Sequence, residues 1–180
     1  MQEGPKETLV HGPVTLRRWQ PGDAEEAYVA VIESLDHLTP WMPWAVGYSR
    51  QSATEFIVAC ENDWESGTAY NYAITADGKV AGSCGLMARI GPGGLEIGYW
   101  VHRDHVRRGL ATAAAAALTD AAFSLPGIDR VEIVHDELNA ASGRVPRKLG
   151  FTEVGRRPLD MPSAAGTGIG VVWRRIRPFP

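Results

Sequence analysis

Apolar and polar positions along the chain alternate first at Val14-Thr15-Leu16-Arg17-Arg18-Trp19, a strand pattern that Pro21-Gly22 stops. After Asp23, which reads as a helix cap, the spacing becomes helical, with Ala24, Ala27, Tyr28, Val31 and Leu35 on one face. Residues 36–48 contain Pro40-Trp41-Met42-Pro43-Trp44 and are too proline-rich for a regular element. Ser49 opens a second helix along Ala53, Phe56, Ile57, Cys60 and Trp64, ending near Gly67. Strands are predicted over 70–75, 79–90 and 95–101; Asp77-Gly78 is the best hairpin signal, and Gly91 to Gly94 makes a second turn. An alanine-rich helix then covers about 109–125. It is followed by a strand over 130–135, a helix over 139–149, a strand over 151–156, a loose loop over 160–168 and a last strand over 171–176. The polar residues 1–12 read as a loose leader.

This order, βααβββαβαββ, mixes hairpins with one strand–helix–strand crossover, which argues for an α+β sheet layered by helices. With 180 residues, 44% hydrophobic and 22% charged, the whole of 1–180 reads as a single domain able to bury a core. Cys60 and Cys84 lie among apolar neighbours with no motif spacing, as in a reduced intracellular protein. No export signal is visible and no apolar run spans a bilayer, so a cytoplasmic location and no membrane partner are expected. A net charge of −3 leaves no footprint for nucleic acid. Residues 1–100 hold six Lys/Arg against thirteen Asp/Glu, and residues 101–180 hold twelve against eight. That split suits a cationic substrate and an anionic ligand, and equally suits unrelated solvated faces.

The chemistry concentrates after the third of these strands. A short loop, Val106-Arg107-Arg108-Gly109-Leu110-Ala111, leads into a helix start, whose free N–H groups and dipole favour an anion. Small residues at 109 and 111 allow close approach of a phosphate, Thr112 adds a hydroxyl, and Arg107 and Arg108 can contact phosphate oxygens. The plain alternative is an exposed turn with two solvated arginines. Neither a P-loop nor a dinucleotide-binding glycine pattern is present. The five histidines lack metal-ligand spacing, so no metal is expected; His102 and His105 read as polar surface. Cys84, inside a predicted strand, reads as core.

Leu95 to Val101 followed by Val106 to Thr112 resembles the acetyl-CoA-binding motif of the GNAT acetyltransferases, [QR]-x-x-G-x-[GA]. Asn139-Ala140-Ala141-Ser142 with Lys148-Leu149-Gly150-Phe151 resembles the N-x-x-S…K-L-G-F segment of their RimJ/RimL-type branch, as does the W-x-P-W stretch within 38–44. The matches run in order from about 14 to 176. Two departures stand out: Val106 replaces the usual Gln or Arg, and Gly143 and Pro146 fall inside a helix, where Pro146 frees the carbonyl of Ser142.

The resemblance implies a mostly antiparallel mixed sheet of about seven strands with helices on both faces. It also implies an enzyme that moves the acetyl group of acetyl-CoA to a primary amine, on a peptide, a small metabolite or an antibiotic, by direct attack on the thioester. An attacking amine must be neutral, so a base is useful. Glu96 matches an acidic position that serves as base in many relatives, and alternation puts it on one strand face with Gly98 and Trp100; a merely ion-paired carboxylate is the alternative. The family places the oxyanion donor around Val101, where the strand splays. Ser142 corresponds to the residue that protonates the leaving thiolate, or is a helix serine bonding locally. Asn139 caps the helix and, in the family, also touches the cofactor arm. Trp41, Trp44 and Tyr48 wall an acceptor pocket, or else serve the core or a homodimer contact. Two other readings share these features: a non-catalytic acyl-CoA sensor, and a transferase of succinyl or another acyl group.

Overall fold

A computed structural model describes residues 4–178. Eight strands form one sheet: β1 (Thr8–His11), β2 (Val14–Arg18), β3 (Ala69–Ala76), β4 (Lys79–Met87), β5 (Gly94–Val101), β6 (Arg130–Asp136), β7 (Thr152–Pro158) and β8 (Ile169–Ile176). Their spatial order is β1-β2-β3-β4-β5-β6-β8-β7, antiparallel throughout except for the parallel β5–β6 pair. The helices are α1 (Ala24–Ile32), the single turn α2 (Leu35–Leu38), α3 (Arg50–Ser66), α4 (Leu110–Ser124) and α5 (Ala140–Lys148). A parallel pair needs a crossover, and α4 provides it.

The expected mixed, mostly antiparallel sheet with helices on both faces is found, with one strand more than expected. Residues 8–11 are not part of a loose leader. They pair with residues 14–17 as an edge hairpin, and Arg18 ties the hairpin end to Glu7. The signal was weak because β1 is largely exposed and carries no alternating apolar face. Leu35 belongs to α2 rather than to the first helix, which stops at Ile32. Asp23 does not cap α1 with its side chain; its carboxylate instead takes Gln20 N–H at 2.7 Å and Arg17 at 2.6 Å. Ser49 does cap α3, accepting Ser52 N–H at 3.2 Å, and Gly67 ends that helix in the left-handed conformation.

Two packing layers hold the sheet. On one side Ala27 and Ala30 of α1 and Ile57 and Cys60 of α3 pack on Trp19, Ala73 and Val80. On the other, Ala114, Ala115, Leu118 and Ala122 of α4 pack on Leu16, Ile74, Leu86, Ile97 and Val131. The run of alanines lets α4 lie close to the strands, each buried alanine removing its methyl from water without holding the helix away. That close seating fixes where α4 starts after the end of β5. Both thiols are buried and free, and burial pushes Cys60 up to about 12.

Candidate active site

The parallel pairing of β5 with β6 stops early. It joins residues 94–97 to residues 130–133, after which β6 continues along β8 alone. His102 N–H bonds Ala81 O at 2.8 Å, and antiparallel alternation therefore turns the backbone groups of Gly98 and Trp100 towards β4. The N–H and C=O of Tyr99 and Val101 face the other way, into the gap that β6 has left. Around this gap lies a cavity of about 740 Å³ that takes side chains from both faces of the sheet. Glu96, Trp100, Trp41, Trp44 and Tyr48 line it from one face, and Tyr99, Asn139 and Ser142 from the other. The residues singled out for acid–base chemistry and for acceptor binding thus share one space.

Glu96 is 5% exposed, yet its carboxylate is not alone. Arg89 bonds one oxygen and Arg157 approaches the other at 3.5 Å, and both guanidinium groups reach the surface. Its neighbour across the ladder, Glu132, is likewise buried and bonded by Arg174 at 2.8 Å. Neither arginine partner of Glu96 was legible in the sequence. Arg89 follows β4 in an irregular segment, and Arg157 reaches across from β7, the far edge of the sheet.

Asn139 caps α5 by accepting the Ser142 N–H at 3.2 Å. Pro146 does not displace Ser142 from the site: the helix runs from Ala140 to Lys148 and Ser142 lines the cavity. Gly143 is explained by closeness, since a Cβ there would stand 2.8 Å from the His135 ring. His135 also borders the gap, but both its nitrogens are engaged. Nε2 accepts Trp173 Nε1–H at 2.9 Å and Nδ1 meets Asp136 O at 2.7 Å, so it has no free nitrogen for proton transfer. Tyr99 is the residue that the sequence reading passed over. Its hydroxyl lies 2.9 Å from Ser142 O and 3.2 Å from Ser142 Oγ, and burial pushes it up to about 12, so it keeps its proton at neutral pH.

The 106–112 loop lies outside the cavity lining, one turn of chain beyond Val101. Gly109 is the N-cap of α4 at φ +75°, with no side-chain cap, and the first helical bond is Ala113 N–H to Gly109 O at 3.0 Å. The preceding N–H groups are the unpaired start of the helix. Leu110 is buried, while Val106, Arg107 and Arg108 are exposed. Arg107 also sits at positive φ, an unusual conformation for a side-chain-bearing residue. Arg108 is not a freely solvated arginine: it bonds Asp77 Oδ2 and His105 Nδ1, each at 2.8 Å. His102 does not lie on the surface either. It is buried, with Nε2 2.9 Å from Glu33 and Nδ1 accepting Asp104 N–H. Its place at the end of β5, under α1, gives both nitrogens partners and so permits the burial.

Trp44 stacks edge-on to Tyr48 at 5.8 Å and tilts against Trp100 at 6.1 Å, so the proline-rich loop forms an aromatic wall. Opposite it, the 159–168 loop is anchored by Asp136. That buried carboxylate accepts the N–H groups of Leu138, Thr167 and Gly168. The two loops meet through Ala165 N–H to Pro40 O at 2.9 Å. Desolvation raises the Asp136 pKa and the three backbone donors more than offset it, leaving the group below its ordinary range. A depressed carboxylate contributes stability that is present above its unfolded pKa and lost as pH falls through the folded value. Asp136→Ala is therefore expected to lower Tm by roughly 5–10 °C at neutral pH, and the gap from wild type should close in acid. Calorimetric melts across pH check this; a gap that persists in acid refutes the anchor.

These features define a class: a helix start with free N–H groups, a split between parallel strands, and a cavity with a carboxylate at one side and a hydroxyl at the other. Residues 14–152 match the Acetyltransferase (GNAT) domain. YdaF of Bacillus subtilis (strain 168), a protein named as a ribosomal N-acetyltransferase, is 30% identical over 152 residues, 82% of each chain. Two solved structures share the fold. RimL, named a ribosomal L7/L12 alpha-N-protein acetyltransferase and solved with coenzyme A, superposes with TM-score 0.84 at 21% identity, over 93% of this chain and 96% of that one. The microcin C7 self-immunity acetyltransferase MccE, solved with acetyl-CoA and AMP, gives TM-score 0.84 at 20% identity over 92% and 93%. The chain belongs to the GNAT acetyltransferases and is an acyl-CoA-dependent N-acetyltransferase. Among the described residues no helix is long and apolar enough to cross a membrane.

Proposed function

We propose that residues 1–180 act as one catalytic unit that carries the acetyl group of acetyl-CoA to the α-amine of a peptide or protein N-terminus. The observation that carries this reading is the single cavity bringing Glu96 and Ser142 to opposite sides of the β5–β6 gap. The uncapped start of α4 suits the donor's pyrophosphate. Gly109, Ala111 and Thr112 offer backbone N–H groups and little bulk, and Arg107 and Arg108 offer charge. Val106, for all its departure from the motif, contributes backbone only. Asn139 lies beside the path of the pantetheine arm. The acyl donor supplies an activated thioester; the remaining steps are the chain's own.

Val101 N–H, facing the gap, meets the negative charge that develops on the carbonyl oxygen. Glu96 takes the amine's proton, directly or through water. Ser142 gives its hydroxyl proton to the leaving thiolate. Trp41, Trp44 and Tyr48 hold the acceptor, a role in keeping with the aromatic wall that Trp44 and Tyr48 form at the cavity. The names of YdaF and RimL support a ribosomal-protein terminus, and that of MccE keeps a small amine-bearing antibiotic in view. The reaction is assigned to the cytosol, in keeping with two free thiols. The double pairing of Glu96 favours a second reading, in which that carboxylate is structural and the amine's proton goes to water.

Thiol release from acetyl-CoA, assayed over N-terminal peptides, polyamines and aminoglycoside and peptide antibiotics, tests the proposal. Peptides with a free N-terminus are expected to be turned over; release with another of these amines and with no peptide would overturn the acceptor. Ser142→Ala should cut turnover and leave the acceptor's Kd unchanged, because the serine acts only after attack has begun. Wild-type turnover in that variant would return Ser142 to the helix alone.

A further inference from the structure

Position 146, four residues after Ser142, is a proline. The Ser142 carbonyl would ordinarily receive the N–H of residue 146, and proline has none. Tyr99 supplies the missing donor from β5, its hydroxyl 2.9 Å from that carbonyl. The same hydroxyl stands 3.2 Å from Ser142 Oγ and is the serine hydroxyl's only protein partner among the described residues. One phenolic hydrogen therefore faces two acceptors on a single residue. While it serves the carbonyl, the phenol oxygen is free to accept the serine O–H. When the serine hydrogen turns to another group, the phenolic hydrogen can move to Oγ.

We infer that Tyr99 is a positioning residue for acyl transfer: it holds the Ser142 hydroxyl at the cavity wall and donates to Oγ as the serine proton leaves. The inference rests on Ser142 acting towards the thiolate. In that step the C–S bond breaks, the serine proton goes to sulfur, and negative charge grows on Oγ. Tyr99 offsets this charge with a hydrogen bond and retains its own proton, in accord with a hydroxyl that burial keeps protonated. Solvent water then returns a proton to Ser142, matching the one released by the amine through Glu96. Pro146 is the enabling residue, because a backbone N–H at that position would occupy the carbonyl and leave the phenol committed to Oγ.

A thiol at position 142 reads this hydrogen bond without any acceptor. In Ser142→Cys, the pH dependence of alkylation by iodoacetamide gives the thiol's titration, against a low background from the buried Cys60 and Cys84. Adding Tyr99→Phe should raise that titration midpoint by about half a pH unit or more; adding Pro146→Ala instead should lower it. Equal midpoints with and without the phenol would overturn the inference. Turnover, measured with acetyl-CoA and a synthetic peptide bearing a free N-terminal serine, tests the role. Tyr99→Phe should lower kcat about tenfold, the worth of one hydrogen bond, with the peptide KM and the acetyl-CoA Kd unchanged. In a Ser142→Ala background it should cost nothing further. An equal loss in both backgrounds would make Tyr99 a packing residue and refute the proposal. If Ser142→Ala alone keeps full kcat, the assignment of Ser142 as acid fails, whereas a loss in Ser142→Ala without one in Tyr99→Phe removes only Tyr99.

Discussion

Gly109→Glu is expected to abolish acetyl-CoA binding while leaving the fold intact. Nothing lies within 4 Å of a Cβ built at Gly109, so the side chain meets open space. The left-handed φ of +75° disfavours any non-glycine residue by roughly 1–2 kcal/mol. A carboxylate at a helix N-terminus recovers part of that through the dipole. The same carboxylate would stand where the donor's pyrophosphate is proposed to sit. Two like charges about 4 Å apart repel by about 4 kcal/mol at an effective dielectric of 20, which corresponds to about 10³-fold in Kd. Gly109→Ala separates the terms, since it brings the strain and a methyl without the charge and should cost far less. Titration calorimetry with acetyl-CoA on the three proteins decides the matter. A dissociation constant unchanged in Gly109→Glu would remove residues 106–112 from the donor site.

What the sequence disclosed and what it withheld divide along physical lines. Local signals carried well. The Asp77-Gly78 turn has both residues at positive φ, Ser49 and Gly67 bound α3, and Asn139 caps α5, all within a few residues of the letters that encode them. Glu96 and Ser142 were legible as members of ordered motifs, and alternation gave the face of Glu96. The strand β1 was not legible, because an edge strand with little buried surface needs no apolar face. The partners of Glu96 and Ser142 were hidden for a different reason. Arg157 reaches Glu96 across 61 positions and Tyr99 reaches Ser142 across 43, and no spacing rule spans such distances. One clue to the second pair did exist. A proline four residues after a helix serine leaves a carbonyl without its donor, and a buried carbonyl finds another. Looking for that donor on the apolar face of β5, the parallel neighbour of the strand before α5, leads to Tyr99, whose place beside Ile97 and Val101 otherwise reads as plain core.

The second large effect is expected at Glu96. Glu96→Gln should lower turnover by ~10²–10⁴-fold, the range of a lost general base, with acetyl-CoA affinity nearly unchanged. The amine of a peptide terminus is largely protonated near neutral pH, so its proton must be removed before attack. As pH rises the amine deprotonates unaided, and the deficit of the variant should shrink. Arg89 and Arg157 make this test sharper, because glutamine keeps the shape of the side chain but loses both ion pairs at once. If Glu96 served only to pair those guanidinium groups, removing them should reproduce the defect. Arg89→Ala combined with Arg157→Ala would then match Glu96→Gln in turnover, and neither loss would depend on pH. If Glu96 is the base, the double arginine variant keeps the carboxylate and most of the rate, and the pH-dependent deficit belongs to Glu96→Gln alone. Both arginines are substantially exposed but the Glu96 carboxylate is buried, so their removal leaves that anion without its partners, and melting temperature is measured beside turnover on each variant to separate stability from chemistry. Full activity of Glu96→Gln at neutral pH would return the carboxylate to the ion-pair network that links β5 with the far edge of the sheet.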